Sequence, residues 1–229
     1  LEFHAGSVIV KVNKATDADN NVATVPAKLD WDSLATTGLP LAALDIDSAL
    51  DVHASGNVAL NALSGVLVAK AGFSLDLGQV STSAPSNTVA FTDASAVSLS
   101  LSNAQLFVGT GGSLSNATST ADVVNGTLGF AGSVSSLKLV SIKDPGADRA
   151  VTALTDDKSY LGVEISGLTA DLIGLESVLV FHAGGVTVKV NKAADADNNV
   201  ATVPAKLDWK TLATTGLPLA ALDIDSALD

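Results

Sequence analysis

Cysteine and methionine are absent from the 229 residues, arginine occurs once (Arg149), and aromatic side chains make up only 4%. Without cysteine there is no disulfide, no thiolate nucleophile and no Cys-ligated metal. Basic residues number 12 against 24 acidic ones, a formal net charge of −12. That balance argues against nucleic-acid binding, which needs a basic surface. Long apolar runs are missing too. The longest uncharged stretch, 94–121, is full of Ser, Thr, Asn and Gly and does not read as a membrane helix. Two Trp, one Tyr and six Phe are too few for the aromatic girdles of an outer-membrane barrel. The opening Leu1-Glu2-Phe3-His4 has neither the basic nor the apolar region of a signal peptide. What remains is 47% hydrophobic, enough for a folded core.

The strongest positive feature is internal. Residues 1–51 return as residues 179–229, an offset of 178. Across those 51 positions only six differ: Glu2/Val180, Ser7/Gly185, Ile9/Thr187, Thr16/Ala194, Asp32/Lys210 and Ser33/Thr211. Near-identity that extends to polar positions reflects recent duplication. We therefore read 1–178 as one tandem repeat unit and 179–229 as the start of the next. The missing methionine agrees with a window cut from a longer array, in which stacked units share a continuous core.

Within the unit, apolar residues alternate: Val8, Val10, Val12; Phe73, Leu75, Leu77; Val97, Leu99, Leu101; Val186, Val188, Val190. Period two means strands with one buried face. Small-residue segments recur beside them, as in Phe3-His-Ala-Gly-Ser-Val-Ile-Val10, Val52-His-Ala-Ser-Gly-Asn-Val-Ala-Leu60 and Phe130-Ala-Gly-Ser-Val-Ser-Ser-Leu137. They suit tight corners. Short strands, small corners and few aromatics point to an all-β chain, a parallel β-helix-like β-solenoid with short helices and loop insertions. An antiparallel β-sandwich is the alternative. The solenoid reading places Val8, Val10, Phe73, Leu75, Leu99 and Leu101 inside. It gives about nine coils and roughly 40 Å per unit.

Short helices are expected over 30–40 and 208–218, where Asp30 or Asp208 offers an N-cap and Gly-Leu-Pro a stop. Loops are expected at 81–95, 111–125 and 143–158, each rich in turn-forming residues.

Candidate sites are few. Asp17, Asp19 and Asn21, repeated as Asp195, Asp197 and Asn199, place hard oxygen ligands along a loop, as calcium requires. The pattern departs from an EF-hand, with Val22 and Lys28 at the Gly and bidentate Glu positions. A plain polar turn is the other reading. Asp45 and Asp47 would share one strand face. His4, His53 and His182 read as structural, because zinc needs three or four convergent ligands. Trp31 and Trp209 read as anchors. No Gly-x-Ser-x-Gly elbow occurs, and Asp156-Asp157 beside Lys158 reads as surface. No enzymatic activity is expected.

The Phe3–Asn13 and Phe181–Asn191 segments, the Phe-Val-Gly-Thr-Gly-Gly run at 107–112 and the Asp-x-Asp-x-Asn turns together resemble the giant repetitive surface proteins of bacteria, the RTX-type and haemagglutinin-like adhesins. Gly-Gly-x-Gly-x-Asp nonapeptides are absent, so the resemblance does not extend to a calcium β-roll. It implies an extracellular, cell-surface, non-catalytic structural module of a filament or adhesin stalk, with calcium as the one cofactor. Its partners would be neighbouring units end to end, with glycans or a cell surface as ligands of the loop face in the alternative reading. Nucleic acid and a membrane span are not expected.

Overall fold

The alternating segments do form strands, and their small-residue segments decide how those strands bend. The computed structural model describes residues 1–17, 26–34, 44–83, 89–146, 157–195 and 203–228. The strands in chain order are β1 (Glu2–Val12), β2 (Leu50–Ala62), β3 (Leu67–Thr82), β4 (Ala94–Thr110), β5 (Ser113–Leu114), β6 (Val123–Val124), β7 (Leu128–Asp144), β8 (Lys158–Ile173), β9 (His182–Asp195) and β10 (Thr214–Gly216). Seven long strands lie side by side as β1-β2-β3-β4-β7-β8-β9, β10 pairs with the end of β3, and β5 pairs with β6 in a small separate sheet.

Every one of these ladders is antiparallel. The chain is all-β, and this arrangement is closer to the antiparallel alternative than to the parallel solenoid. The β2–β3 connection shows why. Four residues turn the chain there, with left-handed φ at Leu63 (53°), Ser64 (55°) and Gly65 (86°). A turn that short joins only antiparallel neighbours. No described residue is helical. Residues 209–211 make a turn and 214–216 become β10, while 35–40 of the first copy lie outside the described residues. The second copy forms no helix there because Leu207, Trp209 and Leu217 must all reach the core. Gly216, at φ 93°, passes so close to Gln79 that a Cβ would lie 2.6 Å from its carbonyl oxygen.

The expected corners lie in mid-strand rather than between strands. Ser7, Asn103, Gly167 and Gly185 all have left-handed φ, from 49° to 66°. Register shifts accompany them at Gly6/Ile9, Lys70/Gly72 and Ile165/Leu168. Such bulges bend a strand without ending it.

The expected aliphatic ladder is present, running across antiparallel strands. Val10, Ala54, Leu75, Leu99, Leu139, Val163 and Val190 stand opposite one another in succession. This face is not the interior. Phe73, Leu75, Leu99 and Leu101 are half-buried, and Val8 and Val10 are exposed, because no described element lies over them. The core sits on the other face. Leu50, Val80, Ala94, Ala96, Val140, Ile142 and Tyr160 pack beneath Phe91 and the segment carrying Leu207, Trp209, Leu217, Leu222 and Ile224. Toward the opposite strand ends, Val68, Phe107 and Ala131 pack beneath Leu114 and Val123 of the β5–β6 hairpin. The expected loop at 111–125 is thus a folded cover.

The duplicated segment supplies both edges of the sheet: 1–51 contributes β1, and 179–229 contributes β9. One period is therefore six strand steps, about 29 Å along the sheet, in place of the nine coils expected from sequence.

Candidate functional site at the repeat junction

In the second copy, a buried asparagine near the end of β9 organises the segment downstream of the strand. Asn191 Nδ2 donates to Leu207 O (2.9 Å) and Asp225 O (2.8 Å), and its Oδ1 accepts the Trp209 Nε1–H (3.0 Å). One side chain thus ties three points of that segment to the strand. Trp209 and Leu222 then pack against Gly162 of β8: a methyl group there would come within 2.5 Å of Leu222 Cδ1 and 2.8 Å of Trp209 Cε2. Polar pegs fix the rest. Lys138 Nζ donates to Ala221 O (2.7 Å), Ala220 N–H to Ser98 Oγ (2.9 Å) and Asp223 N–H to Glu164 Oε2 (2.9 Å). Asp223 also pairs with Lys189 (2.7 Å) and Lys210 (3.0 Å). Those two ammonium groups hold its carboxyl below the ordinary 3.8, and Asp223 in turn raises Lys210 above 10.5.

The first copy builds the same lock. Asn13 Nδ2 donates to Leu29 O and Asp47 O (both 2.8 Å), and its Oδ1 accepts the Trp31 Nε1–H (3.2 Å). Lys11 pairs with Asp45 at 2.6 Å, as Lys189 does with Asp223, and its hydrogen bond lowers the Asp45 pKa. What differs is the surroundings. Leu29 is 47% exposed where Leu207 is 2%, and Leu44 is 42% exposed where Leu222 is 4%. No β8 lies beneath the first copy. The converse holds over the strand: Ser119 of the hairpin excursion sits against Gly6, whereas Gly184 has no atom near enough to touch an added Cβ.

No protein-family model matches this chain, and neither the curated proteins nor the solved structures contain a match.

The sequence-predicted site residues are scattered. Asp19, Asn21, Asp197 and Asn199 lie outside the described residues. Asp17 is half-buried, and Asp195 is buried at the end of β9 opposite Lys158. Among the described residues no group of three or more His, Asp or Glu is placed to hold a metal ion. Asp45 and Asp47 are not on a strand; Asp45 pairs with Lys11, and Asp47 Oδ1 accepts the Ala49 N–H (2.7 Å), closing a turn. Each histidine meets one carboxylate: His4 with Glu2 (2.7 Å), His53 with Asp76 (2.6 Å) and His182 with Asp171 (2.5 Å). Trp209 is an anchor, though of a turn and not of a helix, whereas Trp31 makes the same bond to Asn13 and is only half-buried. Among the described residues no helix is long and apolar enough to cross a membrane.

Two features escaped the sequence reading. Asn13 and Asn191 were legible only as strand ends, although the Asn-to-Trp spacing of 18 residues is the same in both copies. A polar groove of about 230 Å³, lined by Gln105, Asn125, Ser133, Thr169 and Asp171, runs beside the hairpin. Ser133 and Thr169 face each other there across β7 and β8 at 2.7 Å. Tyr160 belongs to neither; burial and nearby Asp144 push its hydroxyl up to about 12, so it is a neutral core residue.

Proposed function

We propose that this chain is a non-catalytic structural repeat module of a secreted bacterial surface filament or adhesin stalk, in which consecutive units share one sheet. The observation that carries this reading is the placement of one duplicated segment as β1 at one edge and β9 at the other. A strand that both ends one unit and begins the next lets an open antiparallel sheet continue from unit to unit. Growth by repetition then needs no new interface. Exposed edges, a liability in a free sheet, become the joints of the array.

The test is length. Chains of two, three and four periods, measured by small-angle X-ray scattering, should lengthen by a constant increment, about 29 Å per added unit where the sheet runs straight. Increments that shrink with each unit, as for freely jointed beads, would defeat the stalk reading. Finer architecture comes from the same reading: the array is a solenoid-like continuation of a covered antiparallel sheet, not a stack of separate sandwiches. Calcium would bind at Asp17, Asp19 and Asn21 in the first copy and at Asp195, Asp197 and Asn199 in the second, and a thermal transition unchanged by EDTA would dispose of it.

The groove beside the hairpin favours a second reading, a carbohydrate- or cell-binding module. Hydroxyl, amide and carboxylate groups converge there without a tryptophan or tyrosine to stack on a sugar ring. Glycan-array binding that disappears in Thr169→Tyr, which fills the groove, would support it over the stalk alone.

A further inference from the structure

We infer that the described residues of the first copy, 1–17, 26–34 and 44–51, form a docking surface for a second copy of this chain, and that they compete with the described residues of the second copy for the same β8 edge. The inference rests on the repeat-module reading and names its partner. The second copy of the segment shows how the first one docks. Val190 pairs with Val163 and Lys189 with Glu164, so Val12 and Lys11 would take those places on β8 of another molecule. Trp31 would lie on that molecule's Gly162, with Leu29 and Leu44 in the core positions of Leu207 and Leu222.

The six differing positions leave this exchange open. Ser7 already adopts φ 52°, beside the 66° of Gly185. Glu2, Ile9, Asp32 and Ser33 are exposed, and so are Val180, Thr187, Lys210 and Thr211 opposite them in the alignment; Thr16 and Ala194 lie beyond the lock. The main loss is the exposed Lys210–Asp223 pair, replaced by Asp32 beside Asp45, and exposed pairs contribute little.

Within one chain the resident segment wins because it is tethered, at an effective concentration a free molecule does not match. Weakening the resident should hand the edge to a second copy. Because the two edges are different surfaces, that contact is heterologous and does not close on itself.

The experiment uses the full 229-residue chain with Trp209→Ala, examined by sedimentation velocity over a range of concentrations. Wild type should sediment as a monomer, whereas the variant should form head-to-tail oligomers that grow with concentration. The double variant Trp31→Ala/Trp209→Ala should return to monomer. In the Trp209→Ala background, Val12→Cys and Val163→Cys should give a disulfide-linked ladder. These positions lie five strand steps apart in one chain, too far for an internal bond. Should Trp209→Ala fail to fold, Leu222→Ala weakens the same seat more gently and carries the same expectation. A folded variant that stays monomeric, or a double variant that associates as strongly as the single one, would overturn the inference. The scattering increments of covalently linked units do not depend on this outcome, so the two readings fail separately.

Discussion

The two copies of the duplicated segment are nearly one sequence in two environments. Both close the same three-bonded asparagine lock, so the local path of the segment is encoded within it. Only the second copy has β8 beneath it, and its Leu207, Trp209 and Leu222 are buried where Leu29, Trp31 and Leu44 of the first are exposed or half-buried. Only the first copy has the hairpin excursion over its strand, with Ser119 on Gly6 and nothing on Gly184. Each copy lacks the half of its surroundings that the other possesses. Local hydrogen bonding shapes the segment, and burial comes from whatever sheet it meets.

The sharpest way to break the comparison is to remove the tryptophans one at a time. Trp209→Ala should cost about 3–5 kcal/mol, the range for truncating a buried large aromatic. Trp31→Ala should cost about 1 kcal/mol, little more than its hydrogen bond to Asn13. Urea denaturation of the two variants measures the gap. Equal losses would mean that the first copy is as well seated as the second.

A smaller effect of opposite sign is expected at the bend. Ser7 and Gly185 occupy equivalent left-handed positions, and only glycine does so without strain. Ser7→Gly should stabilise the chain by about 1 kcal/mol, read as a raised urea midpoint at constant slope. Gly185→Ser should lower it.

The weakest difference is electrostatic. The Asp223 pKa lies below 3.8 in the folded chain, so its stabilising contribution is present above pH 3.8 and lost as pH falls through that lower folded value. Lys210 is raised above 10.5, so its contribution is present below pH 10.5 and lost as pH climbs through the raised value. Asp45 shares the acid limb. The alkaline limb due to Lys210 has no counterpart in the first copy, where Asp32 stands. Lys210→Asp should therefore flatten the alkaline side of a stability–pH profile.

Strand content was largely legible in the sequence, because period-two alternation at Phe73-Leu75-Leu77 and Val97-Leu99-Leu101 depends only on the pleat. Strand direction was not. A small-residue run such as Ala5-Gly6-Ser7 satisfies a solenoid corner and a mid-strand bulge equally well, and periodicity carries no sign of direction. The choice of buried face was also hidden. Val10 and Leu75 look like core, but the face bearing Ala94, Ala96 and Ser98 wins because Trp209 and Leu217 land on it. That landing joins residues more than a hundred positions apart. A turn at 209–211 followed by β10 replaced the expected helix at 208–218 for the same reason: burial outweighed a cap and a stop signal. Of the candidate site, the duplication and both tryptophans could be read. The asparagine lock could not, since it depends on three backbone and side-chain groups meeting in space.

The central claim is that the first copy is an unoccupied half of a joint whose completed form is the second. Tryptophan fluorescence tests it most directly, in a chain where residues 52–178 are repeated ahead of Leu1 and Trp209 is replaced by Phe. Trp31 is then the sole tryptophan and has a β8 to sit on. Its emission should shift to the blue, and its acrylamide quenching should fall to the level of Trp209 in a 229-residue Trp31→Phe chain. Emission and quenching unchanged from those of Trp31 in the 229-residue Trp209→Phe chain would contradict the account.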